Sequence, residues 1–548
     1  MGRRDTSRDG FRNKFELHSL THFGWLWSLV QKNQALTRWV NRKLINLTVY
    51  KVPTRPRAFS TMAEYSSWDS LTDRSWLGRH LPADPEFNNP SSLPPIDEVV
   101  DLFRMRGTDS ILSPKSTVLF AYFVQWFSDG FLRVMSDPAD DKSVDPVDVK
   151  PKTGDPTVRL RTTSNHHIDL STVYGITSAA TKKLRSGLGG KLKSQIINGE
   201  EYPPFFYQEA RAYPNDDIIN PDLEGAYQPS LLERRQPPER KAKLFATGVD
   251  RGNVQIGFVA LNALCLREHN RLCDLMAERH PGWDDERLFQ TARNTVIAII
   301  ARIVVEEYIN HIAPYHFEFV LDPLAFQDER WYRLNWMTVE FSMVYRWHMA
   351  LPSWLRHGGV NIPMNQSLFN NEMLIKMGLG ALFEEASSQP ASRIGLRNTP
   401  DFLLHLEKTT IAWGRETQLP RYNDYREYCR YPRVTDFDQI TGEPELQRRL
   451  KEVYDHVDNI EFYPGIMAED VRPGSALPPL IGRLIGIDAF SQAYTSPLFA
   501  EHIFNEATFS EIGWQAIQET AKLEQLVHRN LPGSDRKCRV TFDLASAN

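Results

Sequence analysis

Leu261-Asn262-Ala263-Leu264-Cys265-Leu266-Arg267-Glu268-His269-Asn270-Arg271-Leu272-Cys273-Asp274-Leu275 lies within residues 252–278, where Leu261, Leu264, Leu266 and Leu272 recur at helical spacing. Such a stretch buries one face against other helices. Working outward, the same spacing predicts helices over 285–312, 331–349 and 402–416 on one side, over 115–134 on the other, and over 510–530 near the end. Strand signals are sparse. Residues 52–97 carry Pro53, Pro56, Pro82, Pro85, Pro90, Pro94 and Pro95 and read as a surface connection. Residues 136–165 are rich in Asp, Pro and Lys and read as a loop, and 203–240 carry many prolines with few helical repeats. No internal repeat or low-complexity tract is present. The expected architecture is mainly α, with long ordered loops.

Composition narrows the class. The chain has 548 residues, 41% of them hydrophobic and 11% aromatic, with formal net charge -5. No basic excess supplies the phosphate-neutralising charge that nucleic-acid binding needs. Four cysteines, Cys265, Cys273, Cys429 and Cys538, form neither a disulfide scaffold nor a zinc spacing, so a reducing compartment is the simpler reading. The polar start, Met1-Gly2-Arg3-Arg4-Asp5-Thr6, is followed by no apolar signal region. Nor does any run of eighteen apolar residues predict a membrane span. Residues 1–15 are expected to be disordered. Residues 16–60 combine an apolar, Trp-bearing stretch, Phe23-Gly24-Trp25-Leu26-Trp27-Ser28-Leu29-Val30, with Arg38, Arg42, Lys43 and Lys51. Short helices with aromatic faces and basic flanks suit a membrane interface, and equally a helical pair packed on the main body. Residues 61–548 are expected to form one catalytic domain.

A second stretch carries candidate chemistry: Val339-Glu340-Phe341-Ser342-Met343-Val344-Tyr345-Arg346-Trp347-His348. On a helix, Tyr345 and His348 are i and i+3 and share a face. A buried His either ligates a metal or is satisfied by a hydrogen bond, and this string alone leaves both open.

Several strings together resemble one family, from about residue 16 to about residue 543. They are Leu266–Leu275, Leu288–Arg293, Val305-Glu306-Glu307-Tyr308, Arg393-Ile394-Gly395, Tyr422–Arg426, Glu461-Phe462-Tyr463-Pro464-Gly465 and Gly199–Pro204, with Tyr345–His348 among them. The chain resembles the cyclooxygenases (prostaglandin endoperoxide synthases) and related haem fatty-acid dioxygenases of the animal-type haem peroxidase family. A bacterial-type dioxygenase is the member expected. The resemblance lacks the family's signal peptide and small disulfide-bonded module, in line with the low cysteine count.

What the resemblance implies is specific. Haem b is the cofactor, with His348 its axial ligand to iron and Trp347 beside it. Tyr463 supports His348 through water. Peroxide oxidises the haem to an oxoferryl state, which makes a radical at Tyr345. That radical abstracts hydrogen from an unsaturated fatty acid, and O2 adds. The family's distal pattern is Gln-x-x-x-His. Gln125 matches, but Asp129 stands in place of the His. Either a buried Asp129 does acid–base work on peroxide, or it pairs locally and the distal side has no base. Weak peroxidase turnover is the expectation in both cases. Tyr315 falls at the family's carboxylate-binding mouth, whereas the carboxylate-binding Arg aligns with Thr48, with Arg42, Lys43 or Lys51 as substitutes. The acetylatable Ser aligns near Ile485. Ile309, Phe127, Phe131, Phe341 and Val344 are candidate channel residues, and each also suits a plain core. A lipid mono-hydroperoxide is the expected product, with a small-reductant peroxidase or a prostaglandin-forming enzyme as alternatives. A homodimer at a membrane surface, on the cytoplasmic side, is expected from the same resemblance.

Overall fold

A computed structural model describes residues 11–53, 62, 68, 72–135, 160–212, 216–333, 335–533 and 537–545. Most of the loop expected over 136–165, part of the 52–97 connection and residues 1–10 lie outside the described residues. The described chain is mainly helical. Among the described residues, β structure amounts to four antiparallel two-stranded ladders.

The centre is a helix pair. α5 (Ile256–Arg279) and α6 (Asp285–Ile303) follow each other and pack together. Around them stand α4 (Val118–Asp129), α11 (Glu506–Glu519) and α12 (Leu523–Asn530). α4 is apolar and buried around most of its circumference, Gln125 and Asp129 being half-buried on one face; fully buried Phe120 and Phe123 contribute about 1.5–3 kcal/mol each in transfer free energy. α4 and α5 touch where α5 has no side chain: a Cβ on Gly257 would fall 2.0 Å from the ring of Tyr122. Arg267, Glu268 and His269 of the Leu266–Leu275 string are buried too. Arg267 donates to Glu200 Oε2 and to the Glu201 carbonyl, both at 2.7 Å. Glu268 accepts from Arg271, Arg529 and Asn530. His269 Nε2 meets the Gly190 carbonyl at 2.9 Å. That string ties loops to the central helix and takes no part in the site described below.

Several expected boundaries move. The 115–134 helix begins only at Val118, because Leu112–Thr117 is strand β1, paired with β2 (Pro390–Ser392), and Thr117 Oγ1 caps the helix by accepting from Phe120 N. The 285–312 helix is continuous but carries a π-helical turn over Val304–Tyr308 before Ile309–Ile312. It is apolar enough by composition to cross a membrane, yet its side chains are mostly core. The 510–530 stretch is two helices, α11 and α12, and Ser510 has a left-handed φ of 61°.

The largest correction concerns 331–349. Only α7 (Val339–Val344) is helical there. Thr338 starts it by accepting from Phe341 N at 3.0 Å. Its end is set by side chains: the Trp347 indole donates to the Val344 carbonyl, taking a bond the next helical turn would have made. Tyr345 is the C-cap residue, and Arg346, Trp347 and His348 lie in turns beyond it. Tyr345 and His348 therefore do not share a helix face.

At the N-terminal end, α1 (Phe11–His22) takes up the last five residues of the stretch 1–15 that was expected to be disordered. α2 (Gly24–Gln31) and α3 (Gln34–Val49) follow it. α3 packs on α10 (Pro479–Tyr494) and buries Val40, Ile45 and Val49. The four cysteines are buried and form no disulfide.

Candidate functional site

Tyr345 sits in an aromatic wall. Its ring stacks on Trp347 at 5.3 Å and meets Phe341 edge-on at 5.2 Å. Tyr308, presented by the π-helical turn, donates to Tyr345 Oη at 3.1 Å. The Tyr345 hydrogen is therefore free for another acceptor. Burial pushes the Tyr345 phenol above its ordinary value, against a smaller lowering by the Tyr308 hydrogen bond, so it is protonated at neutral pH. α4 supplies the rest of the wall. Phe120 stacks on Trp347 and Tyr308, and Phe123 and Phe127 flank Tyr308. Phe131 joins Phe127 to Phe341. Ile309 follows Tyr308 in the chain, and Val344 ends α7; both are buried. The structure thus brings Tyr345, Trp347, Phe127, Phe131 and Phe341 into one apolar shell.

On α4, Gln125 Oε1 accepts from Gln255 Nε2 at 2.6 Å. Gln255 is itself held as the N-cap of α5, its Oε1 accepting from Gly257 N and Phe258 N. The free end of Gln125 is its NH2. One turn on, Asp129 has both oxygens in ion pairs, Oδ1 with Arg251 at 3.0 Å and Oδ2 with Arg133 at 3.2 Å. Of the two readings of this position, that geometry favours local pairing: neither oxygen is left to take a proton from peroxide.

His348 follows Trp347 in the chain. Its Nδ1 is buried and makes no hydrogen bond of good geometry, yet it lies 3.2 Å from Glu407 Oε2. Glu407 projects from α8 (Leu404–Glu416) and is fully buried. Tyr463, on α9 (Phe462–Ala468), donates to that same Oε2 at 2.7 Å and lies 2.8 Å from the Arg346 carbonyl. The expected link from Tyr463 to His348 thus runs through a carboxylate. Among the described residues, no group of three or more His, Cys, Asp or Glu could hold a metal ion. A single imidazole with its Nε2 unengaged and its Nδ1 facing a carboxylate fits a metal that brings its own equatorial ligands, as haem does.

The mouth side also differs from expectation. Arg42 pairs with Glu329 and Lys51 with Glu16, at 3.0 and 2.9 Å, and Lys43 is exposed. The cation with the strongest pull on Tyr315 is instead Arg483 of α10. Burial raises the Tyr315 phenol to about 12, and Arg483 is the largest opposing influence. Arg483 lies over the Tyr431 ring at 4.9 Å and donates to its hydroxyl at 3.3 Å, while its Nη1 is buried without a partner. Thr48 stands nearby: its Cγ2 would lie 3.3 Å from a Cβ on Gly486, about one turn along from Arg483. Ile485 is fully buried.

Glu407, Arg483, Tyr308 and Gln255 were not singled out by sequence reading. For Glu407 a signal existed. Leu404, Glu407 and Ile411 lie at i, i+3 and i+7, so a carboxylate occupies the apolar stripe of its helix.

Comparison with known proteins agrees with this architecture. The family model described as animal haem peroxidase matches residues 148–541. Prostaglandin G/H synthase 1 of Rattus norvegicus is 31% identical over 524 residues, covering 93% of this chain and 80% of that protein. Prostaglandin G/H synthase 2 of Equus caballus is 29% identical, covering 94% and 80%. Among solved structures, the fatty acid alpha-dioxygenase of Oryza sativa superposes with TM-score 0.67 at 17% identity, covering 98% of this chain and 99% of that one. Peroxidase A of Dictyostelium discoideum gives 0.65 at 21%, covering 85% and 95%. With a family match over most of its length and a 31% identical relative spanning nearly all of it, the chain belongs to the animal haem peroxidases, a family of haem-binding oxidoreductases.

Proposed function

We propose that this enzyme is a fatty-acid dioxygenase in which Tyr345 is the hydrogen-abstracting radical. The observation that carries the reading is the protonated Tyr345 phenol, buried in an apolar wall, with its hydrogen free and His348 three residues away. Haem held by His348 would supply a peroxide-derived oxidant. Tyr345 gives up one electron and its phenolic proton. The phenoxyl oxygen then takes a hydrogen atom from the lipid, restoring the phenol and leaving a carbon radical. O2 adds to that carbon, and the peroxyl radical takes the hydrogen back, giving a hydroperoxide and the tyrosyl radical again. The Tyr308 hydroxyl, still donating to Oη, holds the phenoxyl oxygen in place throughout. Phe127, Phe131, Phe341, Ile309 and Val344 give the chain an apolar lining and exclude water from the radical. Gln125 offers its NH2 to peroxide on the distal side. With Asp129 tied to two arginines, peroxide turnover is slow and serves initiation.

The carboxylate of the lipid is assigned to Arg483 and Tyr315, in place of Thr48, Arg42, Lys43 and Lys51. Support is the partnerless Nη1 of Arg483 and its charge, the strongest cationic influence on the Tyr315 phenol. A fatty acid alpha-dioxygenase of Oryza sativa with this fold was solved with palmitic acid, so saturated acids belong in the assay beside unsaturated ones. Oxygen uptake over such a panel, with products identified by mass spectrometry, tests the function and locates the oxygenated carbon. Consumption of peroxide with a phenol, and no uptake with any lipid, would instead favour a small-reductant peroxidase. In the same assay Arg483→Leu raises KM for the free acid about 10–100-fold, the worth of one charge-assisted bond, and leaves KM for the methyl ester unchanged. Equal KM for wild type and variant on the acid would remove Arg483 from the site.

The N-terminal helices are assigned to a lipid surface. α2 buries none of its side chains, and Phe15, Trp25, Leu29 and Trp39 are 70%, 67%, 54% and 60% exposed. So many large exposed apolar groups on adjacent helices mark an interaction face. Replacing Trp25 and Trp39 together with Ser is expected to abolish sedimentation with anionic vesicles without altering oxygen uptake from detergent-solubilised lipid. Unchanged sedimentation would argue against the assignment. The homodimer is proposed on the resemblance alone, and light scattering checks it.

A further inference from the structure

We propose that Glu407 is a positioning residue for His348: it accepts the Nδ1 hydrogen and thereby sets the electron richness of the nitrogen that faces iron. The proposal rests on the haem-binding role of His348 given above. Burying a carboxylate completely costs several kcal/mol unless donors compensate it. Glu407 is fully buried, and two hydroxyls hold it: Thr399 Oγ1 donates to Oε1 at 2.8 Å and Tyr463 Oη to Oε2 at 2.7 Å. The remaining group in reach is His348 Nδ1, 3.2 Å from Oε2 and otherwise orphaned. The fixed partners are all on the carboxylate's side, so the ring is the element that adjusts: a turn about its Cβ–Cγ bond aligns Nδ1–H with Oε2.

Three consequences follow from that bond. It places the imidazole hydrogen on Nδ1, leaving the Nε2 lone pair for the metal. It fixes the ring plane. It also draws the hydrogen toward a negative charge, which gives the ring imidazolate character and makes Nε2 a stronger donor, favouring the more oxidised iron. Tyr463 competes for the same Oε2. Its hydroxyl withdraws charge from the acceptor and so moderates the effect.

The two residues therefore act in opposite directions, which a merely structural role would not produce. The test is the Fe(III)/Fe(II) potential by spectroelectrochemistry, with the Fe–His stretching band of the ferrous protein by resonance Raman. Glu407→Gln should shift the redox equilibrium toward ferrous iron about tenfold, ~59 mV for one electron, and lower the stretching frequency. Tyr463→Phe should shift both in the opposite sense. Wild-type values for both quantities in Glu407→Gln would overturn the proposal. If that variant does not fold or hold haem, Tyr463→Phe decides: a shift toward ferric iron supports the role, and no shift or the reverse overturns it. Absence of a Soret band and Fe–His band in the wild-type protein is a separate result, which would overturn the haem reading and this proposal with it.

Discussion

Tyr345→Phe should abolish oxygen uptake with every fatty acid while the haem spectrum stays that of the wild type. The substitution removes one oxygen atom. The ring keeps its stack on Trp347 and its edge contact with Phe341, so the wall around it is unchanged. What is lost is the phenolic hydrogen that can be exchanged with a lipid at low cost, because a phenol loses an electron and proton far more readily than a phenyl ring. A fall of at least about a thousandfold, ~4 kcal/mol in the barrier, is expected. Stability should fall by only about 1–2 kcal/mol, since Tyr308 loses its acceptor in a buried position. Peroxide consumption with a small phenol serves as the internal control and should persist at its low level. Oxygenation that survives in Tyr345→Phe would move the radical elsewhere, with Tyr308 the first residue to examine.

His348→Ala should lose the haem spectrum and, with it, both lipid oxygenation and peroxide turnover. Two effects add. The axial nitrogen disappears, and Glu407 is left with its buried charge facing a void. Breaking a buried charged contact by removing one partner typically costs about 3–5 kcal/mol. The 17% exposure of the His348 side chain puts this case at the lower end. Purified variant should therefore show a lowered melting temperature even as apo-protein, which separates the Glu407 contact from haem loss. Imidazole added to the medium should restore part of the haem spectrum by filling the void left by the ring. A wild-type Soret band in His348→Ala would overturn the ligand assignment.

How much of this was legible in the sequence follows from what each pattern encodes. Helical spacing located α5, α6 and α8 because each buries a continuous apolar stripe, and a stripe is a local property. The same rule overextended the helices at 115–134 and 331–349. In the first, residues 112–117 pair with a strand almost 280 positions away. In the second, a Trp side chain takes the carbonyl that the next turn needed. The strand lies far outside a window of eighteen residues, and the indole, though only three positions from Val344, acts through a side-chain hydrogen bond that helical spacing does not register. Tyr345 and His348 could be named on resemblance, whereas the helix-face argument for linking them does not hold, because the chain turns between them.

The candidate site divides in the same way. Residue types and their order along the chain were enough to identify the family and its cofactor and to nominate the Tyr345–His348 pair, because those strings are short and local. The tertiary structure alone decided how each was supported. It brought Tyr308 to Tyr345 by one π-helical turn, committed Asp129 to two arginines, put Glu407 between Tyr463 and His348, and made Arg483 the cation that acts most strongly on Tyr315. The physical reason is common to all four. A buried polar group is defined by the partner that compensates its desolvation, and here most of those partners lie tens to well over a hundred residues away in sequence.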